Sequence, residues 1–232
     1  MAHSRKTGGL LIANQTNFDR EWAAEFLVTL FRKDMHVLII PLARNEGWAS
    51  DVREWDESFQ EGSDYHYDLE RPFRSYGIRS FSWLDQYRCT REEAVRAIEQ
   101  SDICVLSGND PSACMDQLEE LGVVNELKEY RGILVTLSEA SHLAETEFES
   151  GWEGEKEMRA GLGLLGPLHL HMHYQETEAE LRKMIRYLER DGQPLAVLSK
   201  NSGVFLGGGA FELLGDAFIA EESDLDELYS LL

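Results

Sequence analysis

The stretch Ile133 to Phe148, Ile-Leu-Val-Thr-Leu-Ser-Glu-Ala-Ser-His-Leu-Ala-Glu-Thr-Glu-Phe, constrains the fold of this chain more than any other. A β-branched, apolar run stops at small and polar residues, and a helical pattern then begins. That order predicts a buried strand turning sharply into a helix with Ser138 at the bend. Such a bend lifts a serine hydroxyl clear of the strand and aims backbone N–H groups at whatever binds there. A nucleophile elbow usually carries glycine two places before and two places after its serine, because the backbone is tight. Here those places hold Thr136 and Ala140. The bland alternative is a core strand running into a helix that Ser138 merely caps.

The elements around this stretch repeat one scheme. Gly9 to Asn14 reads as a buried first strand, and Asn17 as the cap of a helix carrying Trp22, Phe26, Leu27 and Leu30 on one face. His36 to Ile40, closed by Pro41, is a second buried strand. Strand, helix and strand make a β-α-β unit, hence a parallel sheet with a right-handed crossover. Tyr76 to Leu84 is a weaker strand. Thr90 with Glu93 forms a capping box, and Ile103 to Leu106 is a short apolar strand. In the turn Ser107-Gly108-Asn109-Asp110-Pro111, Asp110 suits the cap and Pro111 the first helical position. That aims a helix N-terminus at the carboxyl end of a strand, where open α/β sheets bind ligands. Thr177 and Glu180 predict a further capping box, with the helix ending at Asp191-Gly192. Leu195–Leu198, Gly203–Leu206 and Ala210–Leu214 read as an antiparallel meander at one end of the sheet, and Ser223 to Leu232 as a closing helix. The expected fold class is therefore α/β: one domain over residues 1–232, a mostly parallel central sheet with helices on both faces, and a small antiparallel C-terminal extension.

Charge narrows the partners. With 43 acidic and 22 basic residues, the formal charge of −21 would repel a nucleic acid or an anionic membrane. No apolar run is long enough to cross a bilayer, and the N-terminal stretch lacks the apolar length of a signal peptide, so a cytoplasmic location is expected. Cys89, Cys104 and Cys114 are odd in number and fit reduced thiols. The acidic, aromatic stretch from Trp48 to Phe73 reads as helix with its rings packed inward; a lid over the cleft and a homodimer contact are alternative readings.

Taken together, these residues resemble the dipeptidase E and cyanophycinase family of serine peptidases. That family has the class I glutamine amidotransferase-like fold, a flavodoxin-like three-layer sandwich. Its course of apolar strand, Gly-Gly-Gly-Asn type turn, Leu-rich helix, short Gly-Leu helix and Gly-x-Ser-Ala-Gly-Ala is matched here. The counterparts are Ile103-Cys-Val-Leu, Ser107-Gly-Asn-Asp-Pro, Met115-Asp-Gln-Leu, Leu121-Gly-Val-Val and Thr136-Leu-Ser-Glu-Ala-Ser. The family's Leu-x-Leu run and Pro-His-Tyr are matched by Leu162-Gly-Leu-Leu and Met172-His173-Tyr174. The resemblance implies Ser138 as nucleophile, His173 as general base, and backbone N–H groups of Gly108 and Glu139 as an oxyanion hole. It implies small peptides as substrates, with no metal or cofactor. The chain departs from the family in lacking both elbow glycines, in keeping only Gly108 of the turn's three glycines, in placing Glu139 where the family has alanine, and in placing Lys200 where the family has a histidine-orienting acid. Glu153 or Glu155 is a substitute acid on sequence distance alone.

Other motifs leave further readings open. His169, His171 and His173 alternate with Leu170 and Met172, so a strand would put all three imidazoles on one face, with His142 nearby. That pattern admits a metal-binding protein, and the departures admit a ligand-binding relative that has lost catalysis. Gly161-Leu-Gly-Leu-Leu-Gly matches a dinucleotide fingerprint by letter but leads towards a strand, and Gly207-Gly208-Gly209 reads as a hairpin turn.

Overall fold

The computed structural model describes residues 8–42, 51–150 and 157–232, the side chain of Ser150 excepted. The chain begins with β1 (Gly9–Ala13), α1 (Glu21–Leu30) and β2 (His36–Pro41). Next come α2 (Val52–Phe59), α3 (Asp64–Ser75), β3 (Ser80–Trp83), α4 (Arg91–Gln100) and β4 (Ile103–Ser107). They are followed by α5 (Pro111–Leu121), α6 (Val124–Lys128) and β5 (Ile133–Leu137), and further on by the antiparallel pair β6 (Glu147–Ser150) and β7 (Glu157–Ala160). One seven-stranded sheet forms in the order β11-β10-β1-β5-β4-β2-β3, where β10 is Ser202–Gly207 and β11 is Ala210–Gly215. The five strands from β1 to β3 in that order are parallel, and β10 and β11 run antiparallel at the edge beside β1. The expected mostly parallel α/β sheet is present.

Strand alternation sorts the core into two layers. Leu10, Ile12, Leu38, Ile40, Cys104, Leu106 and Leu134 face α4, α5 and α6. Their neighbours Leu11, Ala13, Val37, Ile39, Val105, Val135 and Leu137 face α1 and α3. Helices therefore cover both faces, which is why the strands read as unbroken apolar runs. The aromatic stretch resolves into α2 and α3, with Trp55, Phe59 and Phe73 buried; Trp48 lies outside the described residues.

Several local expectations hold in atomic detail. Thr90 and Glu93 close the capping box of α4. Asp110 accepts from the N–H groups of Ser112 and Ala113, with Pro111 opening α5. Gly208 and Gly209, both at positive φ, turn β10 into β11.

Others are corrected. Helix α1 starts at Glu21 with Arg20 as its uncapped N-cap; the Asn17 side chain instead donates to Asn201 Oδ1 at 2.9 Å. Thr177 does cap α7 (Glu178–Asp191), but Glu180 binds His171 and Lys183 and leaves the capping box half made. The meander is not continuous. Leu195–Val197 (β9) leaves the main sheet and joins β8 (His169–His171) and β12 (Phe218–Ala220), packing with α7 over a separate small core. The closing helix, α8, is Leu225–Ser230.

The largest correction follows β5. Residues Ser138–Ala144 form a 3-10 helix, not an α-helix. Such runs rarely exceed three or four residues because their hydrogen bonds are poorly aligned. This one is held from outside. The N–H groups of Leu162, Leu164 and Gly163 donate to the carbonyls of Leu143, Ala144 and Glu145 at 2.7–2.8 Å. The backbones approach so closely that a Cβ at Gly161 would lie 2.2 Å from the Glu145 carbonyl oxygen. Gly161→Ala must push these strands apart, and is expected to cost about 2 kcal/mol of stability by overpacking. A denaturant titration checks it; an unchanged midpoint contradicts the close fit.

Candidate active site

Two non-glycine residues among those described hold positive φ: Ser138 at 54° and His173 at 58°. Left-handed backbone is costly for a side chain-bearing residue, and such strain gathers at functional sites. These two strained residues meet. Ser138 Oγ lies 3.1 Å from His173 Nε2, although 35 residues separate them in sequence. The bland reading of Ser138 as a helix cap fails, since the 3-10 helix has Leu137 as its N-cap and no side-chain cap.

The sheet brings them together at the carboxyl ends of its central strands. Ser138 leaves β5, which lies between β1 and β4. Beside it, the Gly108 carbonyl accepts from the Ala140 N–H at 3.1 Å, so the turn after β4 is tied to the elbow. The N–H groups of Gly108 and Glu139 have no acceptor among the described residues. From β1, the buried Asn14 accepts from the His173 N–H at 3.2 Å and donates to the Ser199 carbonyl at 2.8 Å. One amide thus fixes the backbone of the histidine turn and of the next loop. Tyr65 of α3 adds a 2.6 Å hydrogen bond to Ser107, just before the Gly108 turn. Asn14 and Tyr65 were invisible as site residues in the sequence, where one reads as a strand-ending polar residue and the other as a packed ring.

Glu139 does not point idly at the cleft. One of its oxygens lies 3.1 Å from His173 Nε2, and the other 3.4 Å from His142 Nε2. Hydrogen bonding to His142 and then to His173 holds its carboxyl down at about 2, against the effect of burial. His142 Nδ1 donates to Glu145 at 2.5 Å, and the other Glu145 oxygen accepts from His169 Nδ1 at 2.6 Å. Burial disfavours the charged form of His142, but Glu139 and Glu145 together outweigh it and raise its pKa to about 9. The spacing explains the row: residues 139 and 142 eclipse one another on a helix with three residues per turn, and Glu145, the residue that caps its end, continues the line. An α-helix would step each of them round by about 60°.

The histidine stripe is corrected by the same contacts. Strand β8 ends at His171, and His173 lies beyond it in the left-handed turn. His169 pairs with Glu145, which raises its pKa, and His171 pairs with Glu180 at 2.8 Å, with burial lowering its pKa. Each imidazole has its own partner. Among the described residues no group of three or more His, Cys, Asp or Glu is arranged to hold a metal ion.

The loop expected to carry a histidine-orienting acid does reach the site, since Leu198 accepts from the Tyr174 N–H at 2.9 Å. It offers only Lys200, exposed and without an ion pair among the described residues. No described side chain accepts a proton from His173 Nδ1. Glu153 and Glu155 lie outside the described residues.

Comparison of the whole structure with solved ones is decisive for the architecture. A protein of Listeria monocytogenes EGD-e provisionally named peptidase E superposes with a TM-score of 0.64, covering 93% of this chain and 98% of the other at 12% identity. The chain has a peptidase E-like fold. A peptidase from an acI-B1 Actinobacterium is similar over 94% of this chain and 93% of its own, with a TM-score of 0.58 and 14% identity. No family profile and no curated protein matches the sequence. The peptidase E-like fold thus persists at an identity where likeness speaks for fold alone. No described helix is long and apolar enough to cross a membrane.

Proposed function

We propose that this chain is a serine hydrolase that cleaves small peptides through an acyl-Ser138 intermediate. The 3.1 Å approach of Ser138 Oγ to His173 Nε2, between two residues held in strained backbone, is the observation that carries this reading. Peptides as the substrate class rest on the peptidases that share the fold, and their small size on the resemblance to the dipeptidase E family. In the reaction, His173 Nε2 takes the Ser138 proton as Oγ bonds to the scissile carbonyl carbon. The carbonyl oxygen becomes an oxyanion facing the N–H groups of Gly108 and Glu139, each such donor contributing about 3–4 kcal/mol to the transition state. The proton then passes from Nε2 to the leaving amine as the C–N bond breaks. Water, deprotonated by the same nitrogen, releases the acyl group and restores the serine.

A fluorophosphonate probe tests this directly. Covalent labelling of one residue, mapped to Ser138 by mass spectrometry and abolished in Ser138→Ala, is the expected result. A protein silent to the probe and inert across a dipeptide panel overturns it. That outcome supports instead a binding protein in the same cleft, a reading favoured by the absence of a described acid at His173 Nδ1.

A further inference from the structure

The Glu139 carboxylate is set against the wrong nitrogen for a conventional triad. Resting on the hydrolase reading above, we propose that Glu139 latches His173 in an unproductive tautomer until a cationic group of the substrate draws the carboxylate away. A neutral imidazole carries its proton on one nitrogen only. An anion 3.1 Å from Nε2 stabilises the proton there, and nothing described at Nδ1 competes for it. With Nε2 protonated, the contact to Ser138 runs backwards: Nε2–H donates, and Oγ accepts. The serine then keeps its own proton and remains a poor nucleophile.

Release needs a substitute partner for the imidazole, or for the carboxylate. About a third of the Glu139 side chain is exposed to solvent, so a ligand can reach it. An ammonium or guanidinium there replaces the His173 Nε2–H group as the donor to the carboxylate. The imidazole then loses its Nε2 proton to water and takes one on Nδ1, which leaves the Nε2 lone pair facing Ser138. His142 holds the other Glu139 oxygen and stays bound to Glu145, so the carboxylate swings about a fixed anchor. An anionic substrate group meets repulsion at the same point, and the net charge of −21 further favours cations. Glu139 is thus a positioning residue for His173 and a determinant of substrate charge.

The experiment has two readouts. The first is histidine nitrogen shifts and long-range couplings by NMR, with His173 assigned through His173→Gln. The proton is expected on Nε2 in the wild type and to move towards Nδ1 in Glu139→Ala and Glu139→Gln. The second is the rate of Ser138 labelling and of cleavage of matched lysyl, N-acetyl-lysyl, leucyl and aspartyl amides. Both variants are expected to label roughly tenfold faster than wild type. Wild type is expected to favour cationic over aspartyl substrates by roughly tenfold, and Glu139→Gln to level that preference. Free against acetylated lysyl amides tell an α-ammonium from a basic side chain. A wild-type proton on Nδ1, slower labelling in both variants, or a preference for the aspartyl amide overturns the latch. If no protein labels yet the tautomer moves as expected, Glu139 still sets the His173 tautomer, but hydrolysis falls and the latch on it falls too. If wild type labels but neither tautomer nor rate responds to Glu139, hydrolysis stands and the latch falls.

Discussion

His173→Gln is expected to slow phosphonylation of Ser138 by about 10²–10⁴-fold, the range that a positioned general base contributes. Glutamine can fill part of the space and accept a hydrogen bond, but it cannot take a proton near neutral pH, so the serine loses its activation. The side chain of His173 is 42% exposed, and removing its ring opens no cavity in the core. Stability is therefore expected to hold within about 0.5 kcal/mol. His173→Gly sharpens the test. Glycine adopts a φ of 58° without strain, so this variant should lose the same reactivity while resisting denaturant at least as well as wild type. Such a split between reactivity and stability is what backbone strain kept for chemistry predicts. A labelling time course and a urea titration supply both numbers. Equal labelling rates in wild type and His173→Gln would remove the imidazole from the reaction.

Much of this arrangement was legible in the residues because its causes are local. Apolar runs bounded by turns mark β1, β2, β4 and β5, and Asp110-Pro111 announces α5 by a rule that involves only its own backbone. Ser138 stood out because the end of a buried strand followed by small residues leaves few other geometries. The acid–imidazole row was not legible, for a reason of pitch. Read with 3.6 residues per turn, Glu139, His142 and Glu145 drift by about 60° at each step around a helix; with three, they align. The contacts that hold the end of this helix come from far away in the chain, where Leu162, Leu164 and Leu165 donate to the carbonyls of Leu143 and Ala144. Strand period misled in the opposite direction. Three alternating histidines predict one face, but β8 ends before the third, and the left-handed turn at His173 sends that ring to Ser138 while the other two find Glu145 and Glu180. Asn14 joins elements 159 residues apart in sequence, a contact that depends on the pairing of β1 with both β5 and β10.

Glu145→Ala is expected to be the most destabilising single change within this row. The carboxylate is almost wholly buried, at 3% exposure, and accepts from two imidazoles at once. Removing one partner of a buried ionic group costs roughly 3–5 kcal/mol, and about 3 is expected here because both imidazoles keep some contact with water. The effect should also depend on pH with a definite sign. In the folded protein His142 has its pKa raised to about 9, above the ordinary value of 6.5, so the native state binds its proton more tightly than the unfolded chain does. That stabilisation is fully present below about pH 6.5 and is lost as pH rises through about 9. His169, raised by the same carboxylate, acts in the same direction. The gap in unfolding free energy between wild type and Glu145→Ala should therefore be widest near pH 6 and narrow steadily towards pH 9 and beyond. Glu139 works at the other end of the scale. Its carboxyl is held at about 2, so its own contribution persists above pH 4.5 and fades only in strong acid, leaving the neutral-to-alkaline window to the imidazoles. Urea titrations of both proteins between pH 6 and pH 9.5 measure the gap. If it stays constant across that range, the imidazoles are not held protonated by Glu145, and the row is packing alone.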